Sequence, residues 1–279
     1  MLARFSDLLG SAAERRSAVG AFTTYNLEQA LGIVQAAEER KTGVVLLVGA
    51  QSLRGPSGWL LLAALVAVAR DAAVPACVQL DHVDDLALTR RAFELGAGAV
   101  LADGSRLPLD DNAELVRAAV REGRAHAGEV ECEVGGIAGD EDVAAAVAAG
   151  ALTDPGEAAA FVERTGAACL AVSIGNVHGR YLDSPSLDWS RLESIRREVA
   201  VPLSLHGASG LPDADLRRAI ASGITKVNVN TELRERYLEA TAKGLAGAQE
   251  GARVLELNRA QVDAVAEVVG AKLDAYSSV

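Results

Sequence analysis

Residues 202–231 read PLSLHGASGLPDADLRRAIASGITKVNVNT and contain one complete strand–helix–strand unit. The apolar run 202–205 has the length of a buried strand, and residues 224–229 (ITKVNV) form a second run of this kind. Between them, Pro212 opens the segment 212–222, whose pattern fits an amphipathic helix with a polar start. Strands that are joined by a crossover helix pair in parallel, so this stretch predicts one unit of a parallel sheet.

The same alternation extends over the whole chain. The eight short apolar runs are 19–24, 43–48, 76–80, 99–102, 129–134, 168–173, 202–205 and 224–229. The helix-like segments between them are 26–41, 58–72, 86–95, 112–125, 155–165, 187–199 and 212–222. Eight strand–helix repeats predict an α/β fold, a (β/α)₈ or TIM barrel. An open doubly wound sheet is the alternative, but it usually has fewer strands, and no GxGxxG follows the first strand.

The length of 279 residues is ordinary for one barrel. We therefore expect residues 1–279 to form a single (β/α)₈ barrel domain with a helical C-terminal extension. That extension, residues 232–273, is longer than a closing helix needs and is expected to pack on the barrel or on another subunit. Charges interrupt the apolar residues of the first 20 positions, which indicates an amphipathic helix rather than a signal peptide.

The composition restricts the classes of partner. Half of the residues are hydrophobic, which supports a large core, and the net charge is −11. An acidic surface repels nucleic acid and anionic membranes, so a small anionic ligand would need local compensation from backbone N–H groups, basic side chains or a metal. The three cysteines do not form a CxxC pair, and no apolar run reaches the roughly 20 residues of a membrane span. We expect a cytoplasmic protein.

Polar residues lie in or just after six of the eight predicted strands, toward the end of a barrel where active sites lie. These residues are Asp81-His82, Asp103-Gly104-Ser105, Glu131 and Glu133, the segment 175–179 (GNVHG), the segment 206–210 (HGASG), and Lys226 with the segment 228–231 (NVNT).

Three of the four histidines, His82, His178 and His206, lie after predicted strands. One histidine in such a place is more often a structural hydrogen-bonding residue than a ligand. Three at equivalent places favour a shared metal, because imidazole suits zinc and three protein ligands leave a position open for substrate. His126 lies in a polar connection, and we interpret it as a surface residue.

Asp81 adjoins His82, although successive strand residues point to opposite sides. One of the two must leave strand geometry if both are to reach the mouth of the barrel. Asp81 is a candidate proton donor, and the alternative is that it only orients a neighbouring group.

Glu131 and Glu133 share one side of their strand, and Cys132 is expected to face the helices. Two carboxylates inside a barrel are costly unless they are paired or bound to metal. The segment 135–142 (GGIAGDED) is glycine-rich and ends in acidic residues. It indicates either a mobile loop that brings a carboxylate over the site or a solvated surface loop.

The segments HGASG and NVNT each precede a predicted helix. In barrels, phosphate sites are commonly built from the loops after the last two strands, where backbone N–H groups are available. A Gly/Ser loop alone is a weak indication, and its position after the seventh strand strengthens it.

These residues resemble those of the class II, zinc-dependent ketose-bisphosphate aldolases, which include fructose- and tagatose-bisphosphate enzymes. The matching segments occur in the family's order over about residues 20–240. They are AFTTYNLEQA, VQLDHVDD, VLADGS, VECEVGGIAGDED, LTDPGEAAAFVERTG, IGNVHGRY, PLSLHGASGLPD and GITKVNVNTEL. The joint occurrence of LDH, ExExG, GNVHGxY and HGASG is highly specific, and the family fold agrees with the predicted barrel.

The resemblance implies that His82, His178 and His206 hold a catalytic Zn²⁺, with Glu133 and Asp103 at a second or alternative metal position. It implies that Asp81 is the acid/base at the aldehyde oxygen and that Glu141 is a base on the mobile loop. The residues implied to bind the ketose phosphate are Gly179, Gly207, Ala208, Ser209, Asn228, Val229, Asn230 and Thr231.

The implied reaction cleaves or forms a ketose phosphate through the enediolate of dihydroxyacetone phosphate. Lys226 matches a family lysine that is not a nucleophile. The resemblance also implies a sugar phosphate substrate, an accompanying Na⁺ or K⁺, and a homodimer or homotetramer.

Some positions depart from the family. Gly49 stands where the family often has a serine that contacts substrate, and Ser52 is a candidate to replace it. The first strand lacks the asparagine that is usual near Thr23, and Val83 follows LDH where glycine or histidine is common. These departures favour a substrate other than fructose 1,6-bisphosphate.

Two other functions stay open at this point. One is a non-catalytic aldolase-like subunit or partner protein, and the other is a different metal lyase or hydrolase. The retained Asp81, histidines and Glu141 argue against the first, and the GASG and NVNT segments favour the aldolase over the second.

Overall fold

The computed structural model describes residues 1–139, 146–147, 150–181 and 186–277. They form a closed barrel of eight parallel strands, and each barrel strand overlaps one of the eight predicted runs. The barrel strands are β1 (Val19–Thr23), β2 (Val44–Gly49), β3 (Ala76–Val83), β4 (Ala99–Ala102), β5 (Glu129–Val134), β7 (Cys169–Val172), β9 (Leu203–Leu205) and β10 (Ile224–Val229). Two short strands, β6 (Ala146–Val147) and β8 (Arg180–Tyr181), pair with each other outside the barrel. The barrel order is β1-β10-β9-β7-β5-β4-β3-β2, so the predicted barrel is confirmed.

The described helices alternate with the strands. They are α1 (Phe5–Glu14), α2 (Leu27–Glu39), α3 (Gly58–Asp71), α4 (Leu86–Glu94), α5 (Leu109–Ala125), α6 (Pro155–Thr165), α7 (Trp189–Glu198), α8 (Asp213–Ala221), α9 (Thr231–Glu250) and α10 (Val254–Tyr276), with a 3₁₀ helix at Ala50–Arg54. The predicted helical C-terminal extension consists of two helices, α9 and α10. Of these, α10 buries Val265, Val269 and Leu273, whereas α9 buries little beyond its first turn.

The interior of the barrel and the layer between strands and helices are separate apolar clusters. Inside the lower barrel, Val45 and Leu47 of β2 pack with Cys77 of β3. Helix α1 closes this end by inserting Phe5 and Leu9 into the same cluster. Cys132 lies in the other cluster, between strands and helices, as its position between two glutamates predicted.

Strand pairing determines which residues share a layer. Val45 pairs with Cys77, Leu47 with Gln79, and Gly49 with Asp81. Paired residues of parallel strands lie on the same face, and side chains alternate along each strand. Because Val45, Leu47 and Cys77 are interior, Gly49 and Asp81 also face the interior, one layer above Gln79 and at the mouth of the barrel.

Among the described helices, none combines the length and the apolar character that a membrane crossing requires.

Candidate active site

Strand β3 delivers two adjacent residues to the mouth through an irregularity in its backbone. His82 has a φ of 49°, and the pairing of β3 with β4 shifts between Leu80 and Val83. Left-handed φ values are uncommon in residues other than glycine and occur where the surrounding structure imposes them. The expected departure from strand geometry is therefore found at His82, while Asp81 keeps its register opposite Gly49.

The three predicted histidines converge at this mouth. Ring centroids are 5.0 Å apart for His82 and His178, 5.2 Å for His82 and His206, and 5.8 Å for His178 and His206. One ring nitrogen from each lies within 4.8 Å of those of the other two. Asn176 positions the segments that carry two of them, because its buried amide donates to the carbonyl oxygens of Val172 and His206. Three imidazoles at these separations can hold one divalent ion.

Two carboxylates determine which nitrogens face each other. Asp103 Oδ2 lies 2.7 Å from His82 Nδ1, and Glu131 Oε1 lies 3.0 Å from His206 Nε2. Burial raises the pKa of both carboxyls, but the histidines and, for Glu131, Lys226 outweigh it, so that each pKa falls below its ordinary value. Ionised carboxylates only accept hydrogen bonds, so His82 Nδ1 and His206 Nε2 carry the protons.

The remaining nitrogens, His82 Nε2 and His206 Nδ1, lie 3.3 Å apart. Burial lowers the pKa of His206, so its ring is held neutral with a lone pair on Nδ1. If His82 is neutral, the lone pair on its Nε2 faces the lone pair on His206 Nδ1. A cation bound by both nitrogens would remove this repulsion. Burial also lowers the pKa of His82, but the carboxylates of Asp81, Asp103 and Glu133 raise it well above its ordinary value. The site therefore favours positive charge at this point, and its donor set fits a metal ion.

A buried ion pair supports His206 from below. Glu131 accepts 2.7 Å hydrogen bonds from Lys226 Nζ and from Gln79 Nε2 at its second oxygen. Lys226 and Glu131 have no exposed side-chain surface, and the ring of Phe5 lies 5.9 Å from Lys226 Nζ. Lys226 also donates to Asn228 Oδ1 at 2.7 Å. The pair thus holds the carboxylate that sets the His206 tautomer.

Replacing Lys226 by methionine is expected to destabilise the metal-free protein by about 3–5 kcal/mol, because Glu131 keeps its charge in the interior without its cation. The free energy of unfolding in urea measures this loss. A K226M/E131Q double variant is expected to recover part of it.

Lys243 provides the matched control, since it pairs with Glu239 on the surface of α9 and its side chain is 69% exposed. Lys243→Met should change the unfolding free energy far less. Equal effects of K226M and K243M would contradict the structural role of the buried pair.

Glu133 and Asp103 form a second group with His82 that can hold an ion. Glu133 Oε1 accepts from the Ile137 backbone N–H at 3.1 Å, whereas its buried Oε2 has no hydrogen-bond partner among the described residues. Burial and the charge of Asp103 raise the pKa of Glu133 to about 7. Burying a carboxylate oxygen without a hydrogen-bond partner costs free energy, and a bound cation would offset that cost.

Asp81 is 2% exposed and lies beside the histidines. Its Oδ2 is 3.4 Å from Asn228 Nδ2, which is also 3.3 Å from His206 Nδ1. Its other oxygen, Oδ1, has no hydrogen-bond partner among the residues that the structure describes. The Asn228 amide therefore lies between Asp81 and the candidate metal ligand His206, and Asp81 Oδ1 is available to a bound substrate.

A narrow cleft adjoins the histidines on the side of the last strands. It is lined by His178, Gly179, Gly207, Ser209, Asn228, Asn230 and Thr231. Gly207 has a φ of 62°, and a Cβ there would lie 2.0 Å from the carbonyl oxygen of Val177, so only glycine fits. Helix α9 begins at Thr231, and its N-terminus presents backbone N–H groups and a partial positive charge to this region. The cleft is suited to an anion.

The structure places the remaining predicted residues differently. The side chains of Ala208 and Val229 are buried in the apolar core, so only their backbones can reach a ligand. Ser52 lies in the 3₁₀ helix after β2 and is absent from the described lining of the cleft. Glu141 lies outside the described residues, as do Asp140 and Asp142 of the predicted loop.

Sequence reasoning missed the roles of Gln79 and Lys226 in supporting His206, and of Tyr181, whose hydroxyl donates to the Gly207 carbonyl at 3.0 Å. The spacing of residues in the sequence could have indicated the roles of Gln79 and Lys226. Gln79 lies two residues before Asp81 and Lys226 two before Asn228, so both face the interior with them.

A cluster of candidate metal ligands, a neighbouring acid and a cleft suited to an anion lie together at the carboxyl end of a parallel barrel, the end that carries the active site in enzymes of this fold. The family model "Fructose-bisphosphate aldolase class-II" matches residues 3–279. The chain belongs to this family and is an aldolase.

Relatives agree with this assignment. The chain is 41% identical over 230 residues to the D-tagatose-1,6-bisphosphate aldolase subunit GatY of Klebsiella oxytoca, covering 80% of this chain and 79% of that protein. It is 37% identical over 234 residues to the sulfofructosephosphate aldolase of Alkalicoccus urumqiensis, covering 83% and 81%. The crystal structure of the YdjI aldolase from Escherichia coli K12 superposes with a TM-score of 0.85 at 31% identity, covering 100% of this chain and 98% of that one.

Proposed function

We propose that this aldolase depends on Zn²⁺ and cleaves or forms a ketose phosphate, with dihydroxyacetone phosphate as one product. The observation that carries the proposal is the pair of facing nitrogens of His82 and His206, 3.3 Å apart and close to His178. Their donor set, with a carboxylate behind each of two rings, is typical of zinc sites. The adjoining cleft supplies the place for a phosphate.

When bound, the ion would supply Lewis-acid stabilisation of the negative charge that develops on the substrate carbonyl oxygen as the carbon–carbon bond breaks. The protein's own residues do the rest. The N–H groups around Gly207 and the start of α9 would bind the phosphate and so fix the carbonyl beside the histidines.

Asp81 would take the hydroxyl proton in cleavage and return it to the aldehyde oxygen in condensation. Asn228 would keep Asp81 in place, since its amide is anchored by Lys226 and donates toward the carboxylate. We assign to Glu141 the proton exchange at the carbon of the dihydroxyacetone phosphate part, on the strength of its motif alone. The relatives named above act on a tagatose bisphosphate and a sulfofructose phosphate, which supports a ketose phosphate substrate.

The test combines metal analysis with an assay of product. Purified protein should contain about one zinc per chain and release dihydroxyacetone phosphate from at least one member of a panel of ketose phosphates. A chelator should abolish the release, and added Zn²⁺ should restore it. Absence of bound metal together with no cleavage of any member would refute the proposal.

A further inference from the structure

The C-terminal helix α10 is connected to the loop after β9 through one ion pair. Lys272 Nζ lies 2.7 Å from Glu232 Oε2 and donates to Glu232 Oε1 at 2.9 Å. The same Oε1 accepts from the backbone N–H of Gly210 at 2.8 Å. Lys272 and Glu232 are 40 positions apart. These contacts therefore join α10, the first turn of α9 and the HGASG segment in a chain that the sequence does not make adjacent.

This chain of contacts ends at the border of the anion cleft. Ser209 and Thr231 line the cleft, and Gly210 and Glu232 are the residues that follow them. The N–H that Glu232 accepts belongs to the peptide bond between Ser209 and Gly210. A carboxylate therefore lies next to a cleft that is suited to an anion.

The charge of Glu232 opposes an anion in this cleft. Glu232 lies in the first turn of α9, so its carboxylate complements the partial positive charge of the helix N-terminus that an anion in the cleft would also use. Lys272 offsets the carboxylate. The side chains of Lys272 and Glu232 are only 12% and 27% exposed, so salt screens their charges less than those of an open surface pair.

A second ion pair joins the same two helices. Arg236, one turn further along α9, lies 2.7 Å from Glu267 of α10. The Glu267 side chain is 69% exposed, and neither residue belongs to the described lining of the cleft. The two pairs therefore separate the joining of the helices from an effect on the cleft.

We infer that Lys272 is a positioning residue for the phosphate group of the substrate. It acts through Glu232, whose charge it neutralises and whose carboxylate it holds against the Gly210 N–H. The affinity for the phosphate end of the substrate therefore depends on helix α10, which supplies none of the described cleft residues. This inference rests on the proposed function, since it requires the cleft to bind the phosphate of dihydroxyacetone phosphate.

The test measures the dissociation constant of dihydroxyacetone phosphate for the zinc-loaded enzyme by isothermal titration calorimetry. Lys272→Met leaves Glu232 charged beside the cleft, so its Kd should rise roughly 10-fold at low salt, and the rise should shrink as salt is added. Glu232→Gln removes the charge but keeps an acceptor for Gly210, so its Kd should equal the wild-type value or fall below it. K272R should bind as wild type does. In steady-state cleavage, K272M should raise KM far more than it lowers kcat.

Arg236→Met is the matched control, because it removes the other ion pair between α9 and α10. Its Kd should be that of wild type. A merely structural joint between the helices would weaken binding in K272M and E232Q alike. Equal weakening in these two variants, or a K272M that binds as wild type does, would overturn the inference but leave the proposed function standing.

Should K272M fail to fold, E232Q decides, because weaker binding in E232Q would overturn the inference and equal or tighter binding would support it. A wild type that neither binds dihydroxyacetone phosphate nor releases it from any member of the ketose phosphate panel would overturn the proposed function, and this inference with it.

Discussion

If the proposed function is correct, Asp81→Ala should still bind Zn²⁺ and should lose about 10²- to 10⁴-fold in kcat, the range that a positioned acid/base contributes. The carboxylate is not part of either group of candidate metal ligands among the described residues. Its Oδ2 is held by the amide of Asn228, and its Oδ1 has no described protein partner. These contacts support the proposed role of Asp81 in proton transfer rather than in metal coordination. Metal content by atomic absorption and steady-state cleavage rates measure the two effects separately.

Asp81→Asn is the conservative control, because it keeps the size and one acceptor oxygen but cannot take up the proton. It should be as inactive as D81A while its unfolding free energy stays close to that of wild type. If D81A turned over substrate at the wild-type rate, Asp81 would not be the acid/base. Loss of zinc from D81N would instead assign it to the metal site.

His206→Ala should lose most of the bound metal and, with it, activity. His206 supplies Nδ1 at 3.3 Å from His82 Nε2, so its removal leaves two histidines of the cluster. The loss of affinity for Zn²⁺ should exceed the roughly 10- to 100-fold that removal of an outer hydrogen-bonding partner costs. Competition with a chromophoric chelator measures the dissociation constant, and this readout does not depend on turnover.

Glu131→Gln completes this series, since Glu131 touches His206 Nε2 and is not in either candidate ligand group. This substitution should lower the affinity for Zn²⁺ by roughly 10- to 100-fold, to a value between those of wild type and H206A. His126 is exposed and caps the end of α5, so H126A should bind zinc as wild type does. Wild-type affinity in H206A would remove His206 from the ligand set.

Much of the fold could be predicted because its signals are local. The eight apolar runs and the helices between them follow from spacing within about ten residues, and all eight runs became barrel strands. The placement of polar residues at strand ends also followed, because parallel strands present their carboxyl ends at one face. The division of the C-terminal extension into two helices could not be predicted, because periodicity over residues 232–273 did not reveal the break at residues 251–253.

The contacts inside the site could not be predicted in the same way, because they join residues far apart in the chain. Lys226 and Glu131 are 95 positions apart, and Asn228 and Asp81 are 147 apart. Their meeting depends on strand order and register after the barrel closes, and a shift by one residue would turn each side chain to the other face.

By itself the sequence determined the number of barrel strands, the parallel order of the units, and which histidines and carboxylates stand near strand ends, since each depends on local pattern. Only the tertiary structure decided that His82 takes a φ of 49° so that it and Asp81 both reach the mouth. It also decided which nitrogen of His206 faces His82, and that Gly49 lies open beside Asp81. These features arise from barrel closure, which brings distant strands into register and buries charges that must then find partners.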